Sequence, residues 1–178
     1  MNDSSNQHAP VRRNRKRGVI AVMFRDDRML IIRRSQTVNA PGKLCLPGGG
    51  IEAGESEPQA LIREMQEELS VDVAPMRLCW RSVTPWGTRL AWWIAGLPEE
   101  VEPVPNPDEV AEVHWMTAEE IMTARNMLPS LPDFIQAWRG GQVSLPWKGN
   151  GLLRKDGPLD GDGPLDGGGA PRGNRVRS

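Results

Sequence analysis

The chain has 178 residues, 38% of them hydrophobic, and a formal net charge of −1, which is one domain's worth of sequence with material for one core. Two cysteines, Cys45 and Cys79, exclude a disulfide framework; with only His8 and His114 beside them they also lack the number and spacing of a zinc site. They fit a reducing compartment, so a cytoplasmic location is expected.

The small net charge hides an asymmetry. Residues 1–18 carry five basic side chains and one acidic, residues 148–178 six basic and four acidic, and residues 19–147 are left at −7. An acidic body argues against nucleic acid as a partner and suits a site that recruits cations first. Residues 1–17 are polar, end in VRRNRKR and are expected to form a disordered basic tail before a domain spanning 18–147. The apolar run Val19–Phe24 is too short for the core of a signal peptide, and no stretch is long enough to span a membrane.

Val19–Phe24 and Met29–Arg33 read as two strands of a hairpin turning at Asp26-Asp27-Arg28. Alternation sends Arg33 and Arg34 to opposite faces, so one of them reaches a phosphate or base and the other is solvated. A loop containing Pro41-Gly42 then leads through Leu44-Cys45-Leu46 to Pro47-Gly48-Gly49-Gly50. Beyond it, Ser56 with Gln59 forms a capping box, and a helix is expected from about Glu57 to Leu69. On that helix Glu64, Glu67 and Glu68 share a face, while Leu61, Ile62, Met65 and Leu69 form another that packs on the body. Three crowded carboxylates repel one another unless cations neutralise them, and hard oxygen ligands suit Mg²⁺ or Mn²⁺. Taken alone, the same residues also describe a solvated acidic helix face.

The order of residues from Gly49 narrows this. Glycine, five residues, Glu55, seven residues, Arg63-Glu64-Met65, one residue, Glu67-Glu68, one residue, Ser70-Val71 closely resembles the Nudix box, the signature of the Nudix hydrolase family. One defined position departs, where Ser70 replaces a glycine. The resemblance implies an α/β fold, the Nudix α/β/α sandwich with a mixed β-sheet between helices. It also implies metal-dependent hydrolysis of a nucleoside diphosphate linked to another group. Glu64, Glu67, Glu68 and the backbone carbonyl of Gly48 match the metal ligands. Gly49 opens the box, and Glu55 and Arg63 match the ion pair that holds loop to helix. At Ser70 a left-handed helix end is expected, costing a serine about 1 kcal/mol relative to glycine. The spacing from Arg34 to Pro47 resembles MutT-type members, which makes Arg34 the arginine expected to hold the nucleotide.

Further on, Met76–Thr84 and Thr88–Leu97 read as strands joined at Pro85-Trp86-Gly87. Trp92 and Trp93 must face opposite ways, one buried and the other lining a groove or solvent. Pro98–Pro107 reads as a mobile loop near the site. The stretch from Asp108 to Met116 looks like the family's last strand, whose approach supplies a further ligand or base. Glu109 falls nearest that position and Glu112 competes. Thr117 with Glu120 forms a second capping box, and Ser130 caps a last helix ending before Gly140-Gly141. Residues 148–178 contain DGPLDG twice in succession and read as a disordered Gly/Pro/Asp-rich tail.

The expected activity is therefore a Mg²⁺- or Mn²⁺-dependent nucleotide pyrophosphatase, with Glu64, Glu67, Glu68 and Glu109 as catalytic carboxylates. A (d)NTP or modified (d)NTP leads as substrate, although the asparagine that reads the base in the bacterial MutT enzyme would fall near Leu131. Pro85 leaves an ADP-ribose or nucleotide-sugar substrate open, and a non-catalytic nucleotide-binding regulator is the remaining alternative.

Overall fold

The computed structural model describes residues 16–146. In chain order its elements are β1 (Arg17–Val22), β2 (Phe24–Arg25), β3 (Arg28–Arg34), β4 (Leu44–Cys45), α1 (Glu57–Leu69), β5 (Ala74–Val83), β6 (Arg89–Gly96), β7 (Val110–Met116), α2 (Ala118–Thr123) and α3 (Ser130–Arg139). One three-stranded sheet has the order β1-β6-β5; in the other, β3 is flanked by β2 and β4 and also by β7. β1 runs parallel to β6 and every other pairing is antiparallel, so the sheet structure is mixed.

The period-two alternation of the strands explains how the helices are distributed. Val19, Ala21, Leu30, Ile32, Ala91 and Ala95 point to one side, where they meet Ala60, Leu61, Met65 and Leu69 of α1. Their neighbours Val22, Met29, Ile31, Trp92 and Ile94 point to the other, where they meet Ile121 of α2 and Leu131, Phe134 and Ile135 of α3. Strands with apolar residues on both faces need a helix on each side, and the result is the expected α/β/α sandwich. Each fully buried large side chain contributes about 1.5–3 kcal/mol.

Several local expectations are corrected. The first hairpin is shorter than the sequence suggested. β1 leaves to pair with β6, and only Phe24 and Arg25 turn back, against Met29 and Arg28, with Met23 completely buried at the switch. Of the tails expected at residues 1–17 and 148–178, only Lys16 and Arg17 are described, Arg17 as the first residue of β1; the rest lie outside the described residues. Ile62 is 39% exposed, and Ala60 takes the buried place assigned to it. Ser130 is the first residue of α3, not its cap; Pro129 occupies that position without a side-chain hydrogen bond.

Trp92 is the buried member of its pair, stacked on Phe134 with centroids 4.6 Å apart. Trp93 is half-buried against the α1 core and donates its indole N–H to Glu57 at 3.0 Å, so it faces a helix and not a groove. The Pro98–Pro107 segment is fastened to the end of α1, where the Val104 and Asn106 amides donate to the carbonyls of Leu69 and Glu68. Both cysteines are free thiols. Among the described residues no helix is long and apolar enough to cross a membrane.

Candidate active site

The site begins where the glycine loop crosses β1. The amides of Val19 and Ala21 donate to the carbonyls of Gly49 and Pro47, and the Ile51 amide donates to the carbonyl of Arg17. Three hydrogen bonds thus lay residues 47–51 along the free edge of β1. Gly48 has φ +140°, and a Cβ there would overlap the backbone of Val19 and Ile20. A Cβ on Gly49 would overlap the carboxyl of Glu64. Only glycine lets the backbone pass between β1 and α1.

α1 starts at the Ser56–Gln59 capping box, both halves of which are formed, and carries the glutamates under this loop. Its end is a left-handed cap: Ser70 has φ 53° and ψ 38°, and its amide donates to the carbonyls of Gln66 and Met65. The glutamates do not form one solvated face. Glu64 and Glu68 are 7% and 4% exposed, one turn apart among the buried residues of the helix. Glu67 stands at the rim with its side chain half exposed.

Arg63 ties the constellation together. Its guanidinium makes two hydrogen bonds to Glu55, 2.8 and 3.0 Å, and donates to the carbonyl of Gly50 at 2.7 Å. Its Nη1 also bridges Glu64 at 3.0 Å and Glu67 at 2.8 Å. These contacts, above all those to Glu55, hold its charge fixed well above the ordinary arginine range, while the guanidinium holds Glu55 down at about 2. Among the described residues no guanidinium hydrogen-bonds Glu68. The Gly48 amide donates to its Oε2 at 2.8 Å, yet burial, with Glu64 and Glu109 nearby, pushes its carboxyl up to about 8. Burial raises Glu64 as well, against the pull of Arg63. Two buried carboxylates one turn apart are thus left only partly compensated.

Two residues far from the box in sequence act electrostatically on this buried pair. Along β3, Leu30, Ile32 and Arg34 share the α1 side, and the positive charge of Arg34 acts on both Glu68 and Cys45. Arg33 points the other way, to Glu112 at 2.7 Å. Glu112 also contacts His114, so it is occupied on the α2–α3 side of the sheet. Glu109 lies just before β7 and its charge is felt by both Glu64 and Glu68.

The NUDIX domain model matches residues 14–138 of the chain. The chain belongs to the Nudix family of hydrolases. The NAD-capped RNA hydrolase NudC of Pseudomonas aeruginosa is 29% identical, over 69% of this chain and 45% of its own. The chain therefore spans less than half the length of that curated relative. The 8-oxo-dGTP diphosphatase of Escherichia coli is 41% identical over a shorter stretch, 26% of this chain and 36% of its own. A Nudix hydrolase structure from Nitrosomonas europaea superposes with a TM-score of 0.62 at 22% identity, covering 74% of this chain and 76% of that one, and establishes the likeness of fold.

In this Nudix domain the residues expected at the site fall into three groups. Gly49, Glu55, Arg63, Glu64 and Glu67 are linked by direct contacts or close approach, and Gly48, next to Gly49 in the loop, holds Glu68 through its amide. Arg34 and Glu109 approach from β3 and from the entry to β7. Glu112 is elsewhere. What the sequence reading missed is how Glu109 is held. Ser35, Thr37 and Asn106 clamp its backbone, and the available signal was the Asn106-Pro107 pair, which favours a turn.

Proposed function

We propose that the protein is a divalent-metal-dependent pyrophosphohydrolase that cleaves a phosphoanhydride in a nucleoside diphosphate linked to another group. The leading substrate is a (d)NTP or modified (d)NTP, giving the monophosphate and pyrophosphate, in the cytoplasm. The observation that carries this is the buried pair Glu64 and Glu68 beneath a glycine loop whose backbone approaches them directly. A pure binding module has no need to bury two repelling carboxylates.

The donor set fits Mg²⁺ or Mn²⁺. Such ions take one or two carboxylates and complete their shells with water and substrate phosphate. Among the described residues no three carboxylate, imidazole or thiol groups come together as a metal-holding cluster. Glu64 and Glu68 would hold the metal, with Glu67 at the rim and the Gly48 carbonyl beside it. When bound, the ion supplies positive charge at the phosphate oxygens and lowers the pKa of a water molecule.

The chain's own residues do the rest. Arg63 braces the loop against α1 and fixes the orientation of Glu64 and Glu67. Arg34 presents a positive charge to the nucleotide from the α1 side of the sheet. Glu109, or one of the box glutamates, accepts a proton from the attacking water, a step that contributes about 10²–10⁴-fold.

A second reading, a dinucleotide pyrophosphate such as ADP-ribose or an NAD-type cap, is favoured by the name of the NudC relative. Turnover of dNTPs, 8-oxo-dGTP, ADP-ribose, NAD and a capped oligonucleotide with Mg²⁺ tests both readings, with Glu68→Gln beside the wild type. Loss of one turnover in the variant names the class. No turnover of any compound, with nucleotide binding retained, replaces the hydrolase by a binding module.

A further inference from the structure

We infer that Ser35 and Asn106 are positioning residues that set Glu109 against the buried carboxylate pair, joining β3, the end of α1 and the entry to β7 in one clamp. This rests on the reading of Glu109 as a functional carboxylate and goes beyond it by naming what aims that carboxylate.

The clamp has two jaws. Asn106 forms the first. Its amide donates to the carbonyl of Glu68 at 2.9 Å, which anchors the turn on the helix residue that carries the buried carboxyl. Its side-chain Oδ1 accepts the Asp108 amide at 3.1 Å, and its carbonyl accepts the amides of Glu109 at 3.0 Å and Val110 at 2.8 Å. An asparagine folding its side chain onto the backbone two residues ahead is an Asx-turn, which fixes the chain direction through Pro107 and Asp108.

Ser35 forms the second jaw, from the opposite side. It is 4% exposed, and its amide donates to the carbonyl of Glu109 at 2.9 Å. Its hydroxyl donates to the carbonyl of Asp108 at 2.8 Å, and Thr37 donates to the same carbonyl. The register shift between Arg33 and Arg34 in the β3–β7 ladder occurs at the same place. A bulge of this kind ends regular pairing and re-aims the side chains beside it.

Both peptide carbonyls flanking the Glu109 amide–Cα unit are therefore pinned, and so is its amide. The Glu109 side chain makes no hydrogen bond among those of the described residues, yet its charge reaches Glu64 and Glu68. A carboxylate held only by its backbone depends on that backbone for its aim. A displacement of about 1 Å at such a group costs up to about 10²-fold in rate. Ser35 is also the next residue after Arg34, so the same clamp links the nucleotide-facing arginine to the acidic turn.

The test is a double-mutant cycle on the full chain, with Glu109→Gln, Ser35→Ala, Asn106→Ala, Asn106→Asp and the combinations with Glu109→Gln. Two readouts are taken: Mn²⁺ binding, followed by the paramagnetic signal of free Mn²⁺, and kcat and KM with the best nucleotide of the panel. Ser35→Ala and Asn106→Ala are expected to lower kcat about 10–100-fold with KM changed less than about threefold. Asn106→Asp, which keeps the Oδ1 acceptor, is expected to recover most of the loss. In the Glu109→Gln background the alanine variants should add nothing further to either readout, because they act through the group already removed. Losses that multiply in that background, while Glu109→Gln alone is impaired, overturn the clamp and leave the reading of Glu109 intact. A Glu109→Gln protein unchanged in Mn²⁺ binding and turnover overturns both.

Discussion

Gly49 and Glu64 occupy adjoining space so closely that a methyl group on Gly49 would coincide with the Glu64 carboxyl. The loop glycine is therefore a steric condition for the buried glutamate. Gly49→Ala should displace Glu64 and weaken Mg²⁺ binding at least tenfold, with a stability loss of about 1–3 kcal/mol from overpacking. Gly48→Ala should cost more, because its positive φ and the Val19 backbone leave nothing to yield. Thermal unfolding with and without Mg²⁺ checks both; a Gly49→Ala protein with the wild-type Mg²⁺ response would remove the steric argument.

The carboxyl of Glu68 sits at about 8 in the folded chain against an ordinary 4.5. The folded state then holds a proton that the unfolded state has already lost between those values. Its contribution to stability is complete below about pH 4.5 and is lost as pH rises through about 8. Glu64 is raised also and acts in the same sense. Glu55, held down at about 2, acts in the opposite sense but only below pH 4.5. In chelator-treated protein the Tm should fall between about pH 5 and pH 8, Glu68→Gln should flatten that slope, and Mg²⁺ should raise the Tm most at the alkaline end. A metal-free Tm that rises steadily across this window would contradict the burial of Glu68.

Arg63 neutralises Glu64 while bracing Glu55, Gly50 and Glu67. Arg63→Ala should leave Glu64 buried without its cation and cost about 1–3 kcal/mol, a figure reduced from that of a fully buried pair because the guanidinium is 25% exposed. Arg63→Lys should recover little, since a single ammonium cannot make the two-point contact with Glu55. Urea unfolding of the three proteins gives the ranking, and near-equal midpoints for Arg63→Lys and wild type would refute it.

Ser70 ends α1 in the left-handed region. Ser70→Gly should relieve a conformational cost of about 1 kcal/mol and raise the Tm by a few degrees. Ser70→Val should lower it, because a β-branched side chain fits that conformation worst. Activity should not follow the stability gain. A Ser70→Gly protein no more stable than wild type would mean that the serine is not strained there.

Much of the fold was legible in the chain because its signals are local. The capping boxes at Ser56 and Thr117, the turn at Pro85-Trp86-Gly87 and the alternation of Val19–Val22 and Met29–Ile32 each depend on residues a few positions apart. The box from Gly49 to Val71 was equally local, since a loop and one helix contain it. Where the reading failed, the deciding partner was distant. The first hairpin was shortened because β6 claimed β1 from some seventy residues away, as the pairing of Arg17 with Arg89 shows. Ile62 lost its buried place because the sheet faces Ala60 instead.

The sequence by itself determined which carboxylates stand on α1, which glycines precede them and which strands present two apolar faces. Spacing along a helix or strand is fixed by backbone geometry, so it can be read without knowing the neighbours. Tertiary structure alone decided that Glu64 and Glu68 are buried and Glu67 is not. It also decided that the charge of Arg34 acts on Glu68 while Arg33 pairs with Glu112, and that the backbone at Glu109 is clamped by Ser35 and Asn106. Burial and charge compensation depend on what folds over a residue, and those groups come from β1, β3 and the turn before β7.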